Sequence, residues 1–369
     1  MKRKGFERQN IAQLAGYVPG EQRSDVAVIK LNTNESPYPT SPKVQDAIAT
    51  VGIESLRRYP QPTADRFRST AASVHQVAIE NVIATRGGDE LLRLLLTTYV
   101  DPGACVGMTD PTYSLYPVLT AIQDAKVVSI PLEADWSLPQ NFSSQINANH
   151  CQLTFIVNPH APSGRLIGQA ALQVLASEIE GILVIDEAYV DFVSDEDHDL
   201  TQWAIASDNI VLLRTLSKGY GLAGLRVGYG IGPVHLIEPM LHKTRDSYNL
   251  DAISQQLADV ALGDQAYAKS VWAKVRASRN DLKRALQDLG LAVSASESNF
   301  LLATVPSECA LSAEALYEGL KAAHILVRYF ADDRLKDKLR ITIGTPQENA
   351  QLLAQLTALL RGVQSTASR

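Results

Sequence analysis

The segment IVLLRTLSKGYGLAGLRVGYGIG (residues 210–232) places a lysine-containing loop between two apolar runs that are typical of buried strands. Lys218 lies in this loop among glycine and hydroxyl residues, and Arg226 follows eight positions later. A lysine amine can form a Schiff base, while hydroxyls, glycine amides and a guanidinium can hold a phosphate group. The segment therefore predicts an anchor for pyridoxal 5'-phosphate (PLP) at Lys218. The alternative interpretation is an ordinary solvated surface lysine.

The chain around this segment alternates between short β-branched apolar runs and helical patterns, from about residue 80 to residue 235. Strands that are apolar on both faces and separated by helices form parallel sheets covered on both sides. We therefore expect an α/β fold with a mostly parallel sheet covered by helices. Helices are predicted at residues 89–99 and from about residue 113. The predicted strands occupy residues 82–85, 104–108, 127–130, 153–157, 182–185 and 210–213.

After about residue 250 the pattern changes to one of mixed helices and strands, which predicts a smaller α+β domain. An apolar run at residues 26–31 lies outside the alternating series and is expected to join this smaller domain. The predicted units are an N-terminal arm and strand (residues 1–40), a large PLP-binding domain (41–250) and a small C-terminal domain (251–369). Within the last unit, helices are predicted at residues 251–262, 265–289, 312–322 and 346–360, and strands at 299–304, 325–329 and 339–343.

The composition of the 369 residues narrows the class of protein. A net charge of −6 and a pI near 5.7 argue against a nucleic-acid surface. No apolar stretch follows the basic start as in a signal peptide, and no run is long enough to span a bilayer. The three cysteines are odd in number and widely spaced, which fits neither a disulfide framework nor a zinc site. We expect a soluble cytoplasmic enzyme without a metal.

An acidic residue ends one predicted strand, in ILVIDEAY (residues 182–189). The carboxylate of Asp186 could pair with the pyridine nitrogen of PLP and keep it protonated. Tyr189 could then donate to the phenolate oxygen of the same ring. A magnesium-binding acid of a nucleotide hydrolase is the alternative, but the chain has no G-x-x-x-x-G-K-[ST] loop.

Three further strand ends carry candidate cofactor ligands, where open α/β sheets bind their ligands. Asn158 could donate to the phenolate oxygen, and an ordinary turn also explains its Pro- and Gly-rich surroundings. Gly88 and Asp89 open a predicted helix whose amides could hold a phosphate, with a plain glycine turn capped by Asp89 as the alternative. Tyr113 could stack on the cofactor ring, or it could be a core tyrosine.

One glycine motif is misleading. Residues 219–224 (GYGLAG) match the G-x-G-x-x-G fingerprint of dinucleotide-binding proteins. That fingerprint must open a helix, whereas residues 225–232 alternate as a strand does. A dehydrogenase is therefore not expected.

Taken together, these motifs resemble those of fold-type I PLP-dependent aminotransferases and, within them, the histidinol-phosphate aminotransferases. The resemblance runs along nearly the whole chain, and the order of the motifs makes it specific. The motifs are NTNESPY (residues 32–38), RYP (58–60), GGDE (87–90), PTY (111–113), NP (158–159) with PSG (162–164), DEAY (186–189), TLSK (215–218), AGLR (223–226) and LRITIGT (339–345).

The resemblance implies a role for each matching residue. Lys218 would carry the cofactor, and Tyr59 would reach the cofactor phosphate of a neighbouring subunit, which implies a homodimer with shared active sites. Arg340 would pair with the substrate carboxylate, and Arg328 and Tyr17 with a substrate phosphate. Asn34 and Asn158 would also face the substrate. The cofactor phosphate would be held by Thr215, Ser217, Arg226 and the amides of Gly88 and Asp89.

Two segments depart from the pattern of many family members, namely HAPSG (residues 160–164) and SYN (residues 247–249). Both lie near the predicted substrate side, so they bear on the substrate more than on the reaction. The expected reaction is transamination of histidinol phosphate with 2-oxoglutarate in histidine biosynthesis, with Lys218 moving the proton. The alternatives are an aromatic amino-acid aminotransferase, a PLP-dependent decarboxylase of a phosphorylated amino acid, and a non-catalytic PLP-binding or regulatory protein.

Overall fold

The computed structural model of the protein describes residues 5–22, 28–195 and 197–366. Its strands are β1 (Ile29–Lys30), β2 (Val82–Thr85), β3 (Cys105–Asp110), β4 (Lys126–Pro131), β5 (Cys151–Val157), β6 (Ile182–Asp186), β7 (Ile210–Thr215), β8 (Gly228–Ile231), β9 (Ala292–Val293), β10 (Phe300–Thr304), β11 (Ile325–Leu326), β12 (Arg328–Tyr329) and β13 (Lys338–Thr342).

Its α-helices are α1 (Gln9–Ala12), α2 (Pro42–Ala49), α3 (Asp65–His75), α4 (Gly87–Tyr99), α5 (Leu115–Ile122), α6 (Phe142–Ala148), α7 (Gln169–Glu178), α8 (Thr201–Ala206), α9 (Val234–Pro239), α10 (Ala252–Gly263), α11 (Gln265–Asp288), α12 (Ala313–Ala322) and α13 (Pro346–Thr366). None of the helices in the described ranges has the length and apolar character needed to cross a membrane.

A seven-stranded sheet, which we call the large sheet, has the strand order β2-β8-β7-β6-β5-β3-β4. Strands β7, β6, β5, β3 and β4 are parallel, and β8 runs antiparallel to β7 and β2. The predicted α/β class with a mostly parallel sheet is confirmed. The chain after residue 219 passes through a short 3₁₀ turn (Ala223–Leu225) into β8 and opens no α-helix, as expected.

Side chains from the large sheet enter two separate apolar cores, one on each face. Val211 and Leu213 of β7 pack into the first core, whereas Ile210 and Leu212 pack into the second. Successive residues of a strand point to opposite faces, so an unbroken apolar run requires cover on both sides. Helices provide that cover on both faces, so the ends of the strands are the part of the sheet that remains accessible.

The C-terminal part of the chain builds an antiparallel four-stranded sheet, which we call the small sheet, in the order β12-β13-β10-β9. Strand β1 from the N-terminal segment pairs in parallel with β11, with Ile29 opposite Ile325. Residues 26 and 27 of the predicted first strand lie outside the described residues. The domain boundaries near residues 40 and 250 stay predictions.

Two local predictions were wrong. The segment predicted as one strand at residues 325–329 forms two short strands, because β11 pairs with β1 while β12 pairs with β13. The helix predicted to start at Asp89 begins at Gly87, and its N-cap residue is Arg86, which makes no side-chain capping bond. Asp89 lies inside the first turn, so its carboxylate does not cap the helix.

Candidate active site

A cavity of about 490 Å³ opens at the carboxyl ends of the parallel strands, between the large and the small sheet. This is the edge at which α/β sheets bind ligands. Thirteen of the fifteen predicted site residues line it, and Tyr59 and Asn158 do not. The thirteen are Tyr17, Asn34, Gly88, Asp89, Tyr113, Asp186, Tyr189, Thr215, Ser217, Lys218, Arg226, Arg328 and Arg340.

Lys218 follows β7 and projects into this cavity, where its Nζ donates a hydrogen bond to the carbonyl oxygen of Thr33 at 2.9 Å. Burial of the amine lowers its pKa to about 8, and the positive charge of Arg340 acts in the same direction. An amine with this pKa is neutral in a useful fraction of molecules near neutral pH. Lys218 is therefore suited to act both as a nucleophile and as a proton carrier.

Asp186 ends β6 and is buried beside the cavity. Its Oδ2 accepts a hydrogen bond from the Tyr116 hydroxyl at 2.6 Å, and its Oδ1 accepts from the backbone N–H of Ala188 at 3.0 Å. Burial raises the pKa of Asp186 to about 6, and the two hydrogen bonds partly oppose that rise. The carboxylate is thus fixed in direction and would be stabilised by a cationic partner.

Tyr116 was not predicted from the sequence. Its ring stacks on Phe155 with centroids 4.5 Å apart, and this packing aims the hydroxyl at Asp186. Its position three residues after Tyr113 could have indicated it, because residues three apart lie on the same side of a helical turn.

A cradle of donors lies where α4 begins beside the lysine loop. The guanidinium of Arg226 donates to Ser217 Oγ at 3.3 Å and to Asp89 Oδ2 at 3.3 Å. Thr215 Oγ1 lies 2.9 Å from Ser217 Oγ. A guanidinium, two hydroxyls and the free amides of a helix N-terminus form a set of donors that suits a phosphate group.

Gly87 makes this cradle possible. Its φ is +75°, and a Cβ built at this position would lie 2.7 Å from a guanidinium nitrogen of Arg226. Any larger residue would displace the arginine and strain the backbone. The first turn of α4 therefore depends on glycine here for a specific steric reason.

Two arginines of the small sheet face the cavity from the other side. The guanidinium of Arg340 lies 5.3 Å from the Phe300 ring centroid and 5.6 Å from that of Phe330, and the guanidinium of Arg328 lies 5.2 Å from the Phe330 ring. Arg340 donates to the carbonyl oxygen of Asn32 at 3.1 Å, and within the described structure its buried Nε has no hydrogen-bond partner. Two cations with unused donors are chemically suited to bind an anionic group.

Aromatic and amide side chains close the remaining walls. Tyr17 meets Tyr113 edge to face at 6.0 Å, so the N-terminal segment reaches the cavity. Asn34, in a left-handed conformation (φ 56°), donates to the Tyr189 hydroxyl at 3.0 Å and accepts from Thr342 at 3.1 Å. The Tyr189 hydroxyl keeps its own proton to donate.

The two predicted residues outside the cavity have different surroundings. Tyr59 is 81% exposed and stacks on Tyr248 at 4.5 Å, and neither tyrosine lines the cavity. Asn158 is fully buried, where its Oδ1 accepts from the N–H of Ile167 (2.7 Å) and its Nδ2 donates to the Ile167 carbonyl (3.1 Å). The second hydrogen of that Nδ2 remains available to another acceptor.

A buried ion pair behind the site was also missed by the sequence. Glu187 follows Asp186 and pairs with Arg214, which precedes Thr215, at 2.7 Å. Asp186 and Thr215 line the cavity, so both partners of the ion pair are adjacent in the chain to a cavity residue. The signal was the adjacent Asp–Glu pair at the end of β6, but the partner of Glu187 depends on the register between β6 and β7.

Comparisons with known proteins agree with this geometry. The sequence model of the aminotransferase class I and II family matches residues 26–356. A histidinol-phosphate aminotransferase 1 from Trichormus variabilis is 45% identical, covering 96% of this chain and 99% of the relative, and a histidinol-phosphate aminotransferase from Geobacter sp. (strain M21) is 40% identical, covering 95% and 98%. A crystal structure of histidinol-phosphate aminotransferase from Sinorhizobium meliloti in complex with pyridoxal-5'-phosphate has a TM-score of 0.89 at 25% identity, with 98% and 99% of the two chains covered. The chain therefore belongs to the aminotransferase class I and II family.

Proposed function

We propose that this aminotransferase binds PLP and transfers the amino group of histidinol phosphate to 2-oxoglutarate, which yields imidazole-acetol phosphate and glutamate in histidine biosynthesis. The observation that carries the proposal is that Tyr17, Arg328 and Arg340 share one cavity with Lys218. Cations suited to a substrate phosphate and carboxylate thus lie opposite the reactive amine. Full-length relatives named histidinol-phosphate aminotransferase, at 40–45% identity, support the same substrate.

The residues present fit PLP. The space kept open by the missing side chain of Gly87, with Arg226, Ser217 and Thr215 around it, suits the cofactor phosphate. Asp186 would hold the protonated pyridine nitrogen, and such a partner would lower the raised pKa of its carboxyl.

The ring itself would lie against Tyr113, with Tyr189 and Asn158 as donors to its phenolate oxygen. Both residues keep a free hydrogen for that bond, as described above. When bound, PLP supplies the electron-withdrawing ring that allows a proton to leave the Cα of an amine substrate.

Lys218 would hold the cofactor covalently until the amine of the substrate replaces it. Its freed Nζ would then take the proton from the substrate Cα and deliver it within the cavity. With a pKa of about 8, roughly a tenth of the lysines are neutral at pH 7 and can accept that proton. The bond to the carbonyl oxygen of Thr33 keeps the amine on the cavity side.

The small sheet would bind the anionic groups of both substrates. Arg340 is suited to a two-point contact with a carboxylate, because its planar guanidinium faces the cavity near the rings of Phe300 and Phe330 and its Nε has no other partner in the described structure. Arg328 and Tyr17 would contact the phosphate of histidinol phosphate. The same cationic wall would then accept the carboxylates of glutamate and 2-oxoglutarate in the second half of the reaction.

We also propose that the protein works as a cytoplasmic homodimer with shared active sites. The support is an exposed apolar surface that includes Ile53 (80% exposed), Leu56 and Tyr59, next to Tyr248. Large exposed aromatic and aliphatic side chains in one place are typical of an interface. In this arrangement Tyr59 would complete the phosphate site of the partner subunit.

A panel of half-reactions tests the proposed substrate. The PLP form is mixed with histidinol phosphate or phenylalanine, and the loss of its visible absorbance is followed in time. We expect histidinol phosphate to react at least about 10-fold faster, because phenylalanine lacks the phosphate contacted by Arg328 and Tyr17, although its carboxylate can still pair with Arg340. Faster reaction with phenylalanine would favour an aromatic aminotransferase, and release of carbon dioxide would favour a decarboxylase. Binding of PLP without any half-reaction would favour a regulatory protein.

A further inference from the structure

A third apolar cluster joins the two sheets at the rim of the cavity. Leu132 and Trp136, which follow β4 of the large sheet, pack against Leu302 of β10 and Leu335 of the segment between β12 and β13. Trp136 is 8% exposed and has a φ of +69°. A bulky residue in the left-handed region is strained, so the surrounding contacts must hold it there.

Arg334, in the segment between β12 and β13, covers the Trp136 ring with its guanidinium 4.6 Å from the ring centroid. The same guanidinium donates to three carbonyl oxygens of the large-sheet side, those of Asp110 (3.2 Å), Leu132 (2.6 Å) and Glu133. One side chain of the small-sheet side thus binds the ends of both β3 and β4. A lysine has no planar face to cover the ring, and its single nitrogen cannot replace the two guanidinium nitrogens that contact these carbonyl oxygens.

Another neighbour of the Trp136 ring is His160, in the segment HAPSG (residues 160–164) at which this chain departs from many family members. The two ring centroids lie 6.3 Å apart with an interplanar angle of 31°. His160 Nε2 lies 2.9 Å from the Pro111 carbonyl oxygen, and its Nδ1 lies 2.8 Å from Ser163 Oγ. Because a carbonyl only accepts, Nε2 carries the hydrogen, and the hydroxyl of Ser163 donates to Nδ1.

His160 is held in this neutral form. Burial lowers its pKa to about 4; the hydrogen bond to Pro111 opposes that fall, while the charge of Arg334 adds to it. The imidazole therefore bridges two cavity loops as a fixed donor and acceptor. One loop carries Pro111 and, two residues later, Tyr113; the other carries Ser163.

We propose that Arg334, Trp136 and His160 form an intersheet latch, a set of positioning residues that fixes Arg328 and Arg340 relative to the Lys218 side of the cavity. Arg334 lies between the strands that carry the two substrate arginines, and His160 lies against the loop that carries the ring-stacking tyrosine. The latch thus connects the anion site to the cofactor site without touching either ligand. The roles of these two sites rest on the proposed function.

The test measures equilibrium binding of 2-oxoglutarate to the PLP form, which has no amino group to give and therefore does not react with it. In Arg334→Ala the dissociation constant should rise about 10-fold, since the substrate arginines lose their fixed position. Arg334→Lys should not restore binding, although it keeps the charge. The affinity for PLP and the absorbance spectrum of the bound cofactor should change less than 2-fold in both variants. Arg284→Ala, which removes an exposed arginine on α11, is the matched control and should bind normally.

A double-mutant cycle separates a connected latch from two independent effects. Arg334 and His160 share no hydrogen bond. If they act independently, their effects on the dissociation constant multiply. Two single effects of about 10-fold would then give about 100-fold in the double variant Arg334→Ala with His160→Asn. If the latch acts as one unit, the double variant should bind 2-oxoglutarate only slightly more weakly than the single variant with the larger effect. Trp136→Phe, which keeps an aromatic ring, gives an intermediate effect and serves if Arg334→Ala does not fold.

Two results would overturn the latch, namely 2-oxoglutarate binding within 2-fold of the wild type in Arg334→Ala, or fully multiplied effects in the cycle. Failure of the wild-type enzyme to use histidinol phosphate would contradict the proposed substrate instead. That outcome would leave the comparison of variants intact, because the comparison uses 2-oxoglutarate alone.

Discussion

Loss of the buried charge on Glu187 should lower the free energy of unfolding substantially, although Glu187 does not line the cavity. The carboxylate is fully buried, and its Oε2 lies 2.7 Å from Nε of Arg214, whose side chain is 12% exposed. At an effective dielectric constant of 20, two charges at this distance attract by about 6 kcal/mol. Glutamine keeps the shape, and its amide oxygen can still accept one hydrogen bond from the charged guanidinium, which is worth about 2 kcal/mol.

The neighbouring Asp191 limits the damage in Glu187→Gln. Burial raises the pKa of Asp191 to about 7; Arg214 opposes this rise, and the negative charge of Glu187 adds to it. Without that negative charge, Asp191 ionises more readily and partly compensates the guanidinium. We therefore expect the free energy of unfolding to fall by about 3 kcal/mol, at the lower end of what breaking a buried pair costs.

Urea unfolding of the PLP-free protein, followed by tryptophan fluorescence, measures this change. All variants must be compared at one protomer concentration, because the apparent stability of a dimer depends on it. Asp281→Asn breaks the exposed pair with Arg284 on α11 and should cost at most about 1 kcal/mol. The double variant Glu187→Leu with Arg214→Met should recover at least half of the loss. If Glu187→Gln is no more destabilising than Asp281→Asn, the buried pair does not stabilise the packing of β6 and β7.

Three further predictions follow from the site. Since the pKa of Lys218 is lowered to about 8, uptake of PLP by the PLP-free protein should accelerate with pH around a midpoint near 8, and a midpoint above 10 would contradict this. Gly87→Ala should weaken PLP binding at least about 10-fold, because a Cβ there meets Arg226, whereas Gly290→Ala, at φ +86° in open space, should leave PLP affinity unchanged. The pKa of His160 is about 4 in the folded protein, against an ordinary value of 6.5. The neutral imidazole therefore contributes fully to the free energy of unfolding above pH 6.5, and this contribution is lost as the pH falls towards 4. His160→Asn should therefore make the free energy of unfolding depend less steeply on pH in that window, by up to about 1.4 kcal/mol per pH unit, and an unchanged slope in urea titrations would contradict the assignment.

The large sheet was predictable because its strands are buried on both faces and therefore appear as unbroken apolar runs. The same property fixed the edge at which the cavity lies, since Asp186, Thr215 and their neighbours follow directly after such runs. The break at residue 327 was not predictable. Which strand β11 or β12 joins depends on β1 and β13, and no local pattern between residues 325 and 329 contains that information.

Contacts between residues that are far apart in the sequence could likewise not be predicted. Glu187 meets Arg214 only through the register of two strands, and Tyr116 meets Asp186 across 70 positions of the chain. His160 was recognised as a departure, but its role depends on Trp136, which adopts a left-handed backbone conformation that its residue type disfavours. A sequence motif shows which residue can do chemistry, whereas packing decides which residues hold it in place.

Borohydride reduction shows which residue holds the cofactor, and we expect that residue to be Lys218. Reduction makes the link between PLP and its lysine permanent, and a digest analysed by mass spectrometry then locates the added cofactor. We expect the modification on Lys218, and pre-incubation with histidinol phosphate should prevent it. Modification of another lysine, or no modification of a protein that has bound PLP, would contradict this role of Lys218.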